Sequence, residues 1–145
     1  MCRRPRIRSF VVLAGLVLAA SNSQAQAASS MEVHYVEIVT TDAARACESL
    51  AQVHGLEFGE PNPDLGNARV ATTAAGSLIG VRAPLAEHET PIVRTYFAVD
   101  DISEAVKAAE AAGGMIAYPP TRQGETGTWA IYILDGIQYG LWQGE

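Results

Sequence analysis

The sequence predicts an α+β protein in which two tandem βαβββ units form a curved mixed sheet, a cup with the helices outside. A strand-like segment, an amphipathic helix and several short strand-like segments follow one another in the same order twice. The two copies also keep a nearly constant offset, 59 residues at a helix cap and at a helix stop and 60 at a late strand. The matching pairs are Asp42 with Asp101, Gly55 with Gly114, and Gly80 with Gly140. A register kept over three such features is typical of an internal repeat.

The first unit, residues 33–85, begins with Val33–Val39, whose β-branched alternation favours a strand. Asp42 is a candidate N-cap and Gly55 a candidate C-terminal stop for a helix. The expected elements after the first strand are a helix over 43–53 and strands over 56–58, 68–73 and 77–82.

The second unit, residues 93–143, repeats this order after a linker at 86–91. Asp101 is the candidate N-cap, and Gly113-Gly114 is the expected stop of the helix. The expected elements are a strand over 93–99, a helix over 102–112 and strands over 115–118, 128–134 and 137–142. One unit is too small to bury a stable core, so both are expected to pack as a single domain spanning residues 28–145.

The first 27 residues have the order of a secretory signal peptide. Four arginines precede an uncharged apolar run over 10–20, and the small residues Ala25-Gln26-Ala27 follow. We therefore expect a signal peptide over 1–27 and a periplasmic or secreted location. The alternative is translation from Met31, which would leave a cytoplasmic protein.

Charge and cysteine usage narrow the possible partners. Four of the ten basic residues precede residue 28, and all sixteen acidic residues follow it. The processed chain then carries six basic and sixteen acidic residues, a net charge of −10 with histidine neutral. A chain with this negative charge repels nucleic acid and anionic membranes, so neither is expected as a partner. Cys47 would be its single cysteine, so no disulfide within the processed chain is expected.

The chain resembles the vicinal oxygen chelate superfamily, which includes glyoxalase I, bleomycin-resistance proteins and extradiol dioxygenases. The resemblance covers Val33 to Gln143 and is carried by YVEIVTTDAARA, IGVRAPL, YFAVDDISEAV and GTWAIYILDGIQYGLWQ. The closing GLWQ is similar to a metal-less "glyoxalase-like" subgroup. The resemblance implies a cup that holds a small molecule and, in many members, a divalent metal ion.

The resemblance also implies where a metal would be bound. Ligands come from the first and last strand of each unit, and the first-strand ligand stands seven residues before the capping aspartate. The corresponding positions here are Tyr35, Gly80, Arg94 and Gly140. A glycine has no side chain and an arginine is a permanent cation, so we expect no metal and no other cofactor.

Other possible metal ligands are scattered. His34 is expected on the sheet face that packs on the helices, with Val36 and Ile38, because side chains alternate along a strand. The stretch Glu87-His88-Glu89 resembles a chelating cluster but lies in the linker, where a solvated loop is expected.

The same alternation predicts a ligand pocket on the inner face of the cup. Its expected lining residues are Tyr35, Glu37, Arg94, Tyr96, Gln138 and Trp142. Arg94 could hold a carboxylate or phosphate, or it could pair with Glu37 as a structural ion pair.

Three functions follow from this pocket. The first is an exported, metal-independent protein that binds a small organic ligand. The second is a lyase or isomerase in which Glu37 is the catalytic general base and Arg94 or Tyr35 stabilises an enolate-like charge. The third is a structural role, with the cup filled by side chains and a possible homodimer.

Overall fold

The computed structural model describes residues 31–145. The expected signal peptide, residues 1–27, lies outside the described residues. The elements, in chain order, are β1 (Val33–Val39), α1 (Ala43–His54), a short 3-10 helix (Pro63–Leu65), β2 (Arg69–Thr72), β3 (Leu78–Arg82), β4 (Ile92–Ala98), α2 (Ile102–Ala111), β5 (Met115–Gln123), β6 (Gly127–Leu134) and β7 (Ile137–Gln143). Among these residues, no helix combines the length and the apolar character needed to cross a membrane.

The seven strands form one mixed sheet in the order β2-β3-β1-β4-β7-β6-β5. β1 pairs in parallel with β3 and antiparallel with β4, and β4 pairs in parallel with β7. The antiparallel β1–β4 pair therefore joins the two halves of the chain at the centre of the sheet. The α+β class and the curved mixed sheet with two helices are confirmed.

Both helices begin and end close to the residues expected from their caps. The Asp42 carboxylate accepts a hydrogen bond from the Arg45 amide at 3.1 Å, and α1 ends at Gly55, whose φ of 67° is left-handed. The Asp101 carboxylate accepts from the amides of Ser103 and Glu104 at the start of α2.

The core on the outer face of the sheet lies under α2. Ile102, the first residue of the helix, packs with Ala130 of β6 and Leu141 of β7, and all three are buried. The other face of β6 and β7 is thereby left to the inner side of the cup, because side chains alternate along each strand.

One expected strand is absent. Residues 56–58 form no strand, so the first unit has three strands where four were predicted. The chain still contacts β2 through a hydrogen bond from the Gly59 amide to the Val70 carbonyl and one from Arg69 Nη1 to the Gly59 carbonyl, and an isolated bridge joins Asn62 to Ala68. Prolines at 61 and 63 lack the N–H that a longer ladder would need.

Another strand is longer than expected. β5 continues through Pro119 and Pro120 to Gln123, beyond the strand predicted over 115–118. β5 lies at the edge of the sheet, and proline is tolerated on an edge strand because one side of that strand needs no hydrogen-bond donors. The register with β6 shifts between Ile116 and Tyr118 and again between Tyr118 and Thr121, and the second shift accommodates the two prolines.

Candidate functional site

A cavity of about 570 Å³ opens on the inner face of the cup. This volume is within the range of small-molecule sites. All six residues that the sequence predicted for the pocket line it: Tyr35, Glu37, Arg94, Tyr96, Gln138 and Trp142.

The sheet register explains why these side chains meet. Tyr35 lies opposite Tyr96, and Glu37 lies opposite Arg94, in the β1–β4 pair. Residues two apart on a strand share a face, so the two strands present two aromatic rings and one ion pair to the same side. All four residues are buried, with exposed fractions of 3 to 6%.

Glu37 lies between two guanidinium groups. Arg82 Nε donates to its Oε1 at 2.7 Å, and Arg94 Nη1 donates to its Oε2. The Tyr96 hydroxyl donates to the same Oε2 at 3.2 Å. The ion pair between Glu37 and Arg94 that the sequence left as one alternative is thus present, and both carboxylate oxygens accept hydrogen bonds from cations.

Arg94 is also fixed on its other side. The Gln138 Oε1 atom accepts from Arg94 Nε at 3.0 Å and from Arg94 Nη2 at 2.6 Å. Gln138 therefore orients the guanidinium toward Glu37, which preorganises this end of the cavity.

Arg82 is a site residue that the sequence interpretation missed. Its side chain is 6% exposed, and besides Glu37 it contacts Glu89, to which Nη1 and Nη2 donate at 2.8 and 2.7 Å. The pKa of the Glu89 carboxyl falls to about 2, mainly because Arg82 donates hydrogen bonds to it. Arg82 lies two residues after Gly80 on β3, so the alternation that placed Gly80 on the inner face could also have placed Arg82 there.

The linker stretch 87–89 is therefore only partly as predicted. Glu87 and His88 are exposed, as expected of a solvated loop. Glu89 is only partly solvated, because its bidentate pairing with Arg82 holds its side chain at 22% exposure.

Aromatic rings cover the two glycines, Gly80 and Gly140, that stand where the family resemblance implies metal ligands. The Tyr35 ring lies against Gly80, and the Tyr96 ring lies against Gly140, so closely that a Cβ atom on either glycine would overlap the ring. The four marked positions hold two glycines, an arginine and a tyrosine. These residues do not provide the imidazole, thiolate or carboxylate ligands that bind a divalent cation. Burial also raises the pKa of the Tyr35 phenol, which disfavours a phenolate ligand. In residues 31–145, no group of three or more His, Cys, Asp or Glu side chains could hold a metal ion.

Three aromatic residues, Tyr35, Tyr96 and Trp142, form one wall of the cavity. The ring centroids of Tyr35, Tyr96 and Trp142 lie 5.5 to 6.2 Å apart, in tilted or edge-to-face contacts. Burial is the main cause that raises the pKa of Tyr96. In the described part of the chain, the Tyr35 hydroxyl and the Trp142 indole N–H are buried without a hydrogen-bond partner.

His34 does not lie on the helix-packed face, and that prediction was wrong. Its ring stacks on Trp142 with a centroid distance of 4.9 Å and lines a second, smaller cavity of about 360 Å³. The register of β1 against β4 shifts between Val33 and Tyr35, and such a bulge breaks the two-residue alternation. Burial lowers the pKa of His34.

Sequence comparison identifies relatives from mycobacteria. The chain is 30% identical over 117 residues to a protein named "Putative glyoxylase CFP32" from Mycobacterium tuberculosis and to its namesake from Mycobacterium bovis. The match covers 76% of this chain but only 44% of each relative, so the chain spans about half the length of the curated relatives it matches. No protein-family profile matches the chain.

Solved structures share the fold. The hypothetical protein BH1468 from Bacillus halodurans has a TM-score of 0.64 and 14% identity, over 80% of this chain and 96% of that one. Methylmalonyl-CoA epimerase from Mycobacterium tuberculosis has a TM-score of 0.60 and 18% identity, over 78% and 87% of the two chains. At these identities the likeness concerns the fold. The fold and the sequence match together fit the vicinal oxygen chelate, or glyoxalase, superfamily.

Proposed function

We propose that this chain is an exported, metal-independent glyoxalase-like protein that binds a small organic ligand in the cup. The observation that carries the proposal is the amphipathic cavity of about 570 Å³, which is lined both by fixed charges and by aromatic rings. Apolar walls with a few polar anchors are the usual composition of a ligand site. A solved neighbour, methylmalonyl-CoA epimerase in complex with methylmalonyl-CoA, supports the idea that this fold binds organic ligands.

The geometry of Glu37 favours binding over proton abstraction. A general base must reach the proton that it removes, with an oxygen free to accept it. Both oxygens of Glu37 accept from guanidinium groups, and the residue is 6% exposed. The lyase or isomerase alternative would require a substrate to displace one of these arginines.

Ligand binding is tested best by filling the cavity. Leu65 lines it from the 3-10 helix and is half-buried. Leu65→Trp should weaken binding of small aromatic compounds at least about tenfold, because a bulky side chain would occupy their volume. The measurement is tryptophan fluorescence and thermal shift across a panel of small aromatic compounds.

The matched control is Leu56→Trp. Leu56 is also half-buried, precedes β2, and does not line the cavity. Equal loss in both variants, or no binding by the unmodified chain across the panel, would contradict the proposal.

Export and metal independence have separate tests. N-terminal sequencing of the protein from a periplasmic fraction should find Ala28 as the first residue, whereas Met31 in the cytoplasm would contradict export. Elemental analysis of the purified protein should find no divalent ion near one per chain, and such an ion held tightly would contradict metal independence.

A further inference from the structure

The Glu89 carboxylate occupies a complete carboxylate-binding site at the rim of the cavity. Three donors converge on it: Arg82 Nη1 at 2.8 Å, Arg82 Nη2 at 2.7 Å and the Leu85 amide at 2.7 Å. A bidentate guanidinium with an added backbone N–H is the geometry that proteins use to recognise carboxylates. Arg82 itself is fixed from the other side, because its Nε donates to Glu37.

Without Glu89, the buried cluster around Arg82 would carry a net positive charge. Arg82 and Arg94 are two buried cations, and Glu37 is the one carboxylate that contacts both. Glu89 supplies the second negative charge, but it comes from the linker between β3 and β4 and not from the sheet. Its side chain is 22% exposed against 6% for Arg82, so Glu89 is the member of the cluster that can leave with the least loss of packing.

The same cavity continues from this carboxylate to an apolar wall. Glu89 and Arg82 line one part of it, and Trp129, Ile131 and Trp142 line another. Arg82 pairs with Val39 at the end of β1, whereas Trp142 pairs with Ala98, level with the start of β1, so a molecule along the cavity meets a guanidinium and then aromatic surface.

We propose that the ligand is an aromatic or other apolar monocarboxylate whose carboxylate replaces that of Glu89 on Arg82. Glu89 then acts as an internal stand-in for the ligand in the free protein. This inference rests on the proposed function, since it names the class of ligand that the cup takes. No bond is made or broken in the exchange; one carboxylate leaves the guanidinium and another takes its place.

The affinity follows from this competition. The fraction of molecules in which Arg82 is free limits the apparent affinity for an incoming carboxylate. Removing the Glu89 carboxylate should raise that fraction close to one and should tighten binding of an acid on the order of tenfold. An uncharged analogue gains nothing comparable, because it cannot replace the lost charge.

The experiment uses 3-phenylpropionate and its uncharged amide, 3-phenylpropionamide, as probes. Dissociation constants are measured by calorimetry for the unmodified chain, Glu89→Ala and Glu87→Ala. Glu87 is the matched control, because it is an exposed carboxylate two residues away in the same linker and does not line the cavity. We expect the acid to bind about tenfold more tightly to Glu89→Ala, with little change for the amide or for Glu87→Ala.

Other results overturn the inference in distinguishable ways. If the amide binds as well as the acid and Glu89→Ala changes neither, the cup binds ligands but not through a carboxylate on Arg82. If neither probe binds and the panel of small aromatic compounds also fails to bind, the proposed function fails with the inference. If Glu89→Ala does not fold, Glu89→Gln removes the charge at nearly constant volume, and an unchanged affinity for the acid in that variant overturns the inference.

Discussion

Tyr96 can lie flat against β7 because Gly140 has no side chain. A Cβ atom at this position would overlap the Tyr96 ring, including its Cγ atom. Tyr96 is only 5% exposed, so its ring cannot move away without displacing its neighbours. The glycine therefore lets the aromatic ring take the space in which the family resemblance implies a metal ligand.

Gly140→Ala should lower the free energy of unfolding by about 1–3 kcal/mol, because overpacking a buried site forces neighbouring side chains to move. Chemical denaturation measures the change. Gly144→Ala is the control, since nothing lies within 4 Å of a Cβ built there. Equal stability of Gly140→Ala and the unmodified chain would show that the Tyr96 ring is not held against β7.

Glu89 should make the protein's stability depend on acidic pH. Its pKa is lowered from 4.5 to about 2 in the folded state by Arg82, so the folded state favours the ionised form. The resulting stabilisation is fully present above about pH 4.5 and is lost as the pH falls toward 2. Glu89→Gln should therefore show a shallower loss of stability between pH 4.5 and 2 than the unmodified chain. Parallel curves from thermal unfolding at stepwise pH would contradict this expectation.

Among the elements, α2 is fixed at its start by two side chains. Asp101 accepts from two amides of the first turn, and Gln143 Oε1, at the end of β7, accepts from the Ile102 amide at 2.9 Å. The helix is therefore capped both from its own chain and from the sheet that it covers.

Asp101→Ala should destabilise the protein by about 1 kcal/mol, the usual cost of losing an N-cap. Urea denaturation gives the value, and Asp100→Ala is the control. Asp100 is an exposed neighbour whose carboxylate makes no hydrogen bond among the described residues. A loss in Asp100→Ala as large as in Asp101→Ala would show that general charge near the helix, and not capping, is responsible.

The caps and most of the strands were predictable because they depend on neighbours along the chain. Asp42, Gly55 and Asp101 hold the positions expected of them. The extent of β5 was not predictable, because Pro119 and Pro120 are tolerated only where a strand lies at a sheet edge, and the edge is set by the order of all seven strands.

The two halves of the chain share one sheet through the β1–β4 pair. The Glu37–Arg94 ion pair crosses it on the inner face, and Glu37 also binds Arg82 of the first half. Removing one partner from a buried ion pair leaves an uncompensated charge. The stability of both halves should therefore depend on Glu37.

We expect a single unfolding transition, seen alike by circular dichroism and by tryptophan fluorescence. Circular dichroism reports α1 and α2, whereas Trp129 and Trp142 both lie in the second half. Glu37→Gln should lower the free energy of unfolding by about 3–5 kcal/mol by both probes, and Glu57→Gln, at an exposed position, should change it little. Two separate transitions would show that the halves fold independently.

The sequence by itself determined the α+β class, both helices with their caps, and the inner face that carries Tyr35, Glu37, Arg94, Tyr96, Gln138 and Trp142. Each of these follows from local rules, either a capping side chain or the two-residue period of a strand. Only the tertiary structure decided that Glu37 lies between two arginines and that Glu89 folds back onto Arg82. Those contacts depend on which strands are neighbours and on where a linker returns, and neither is encoded in the spacing of residues along the chain.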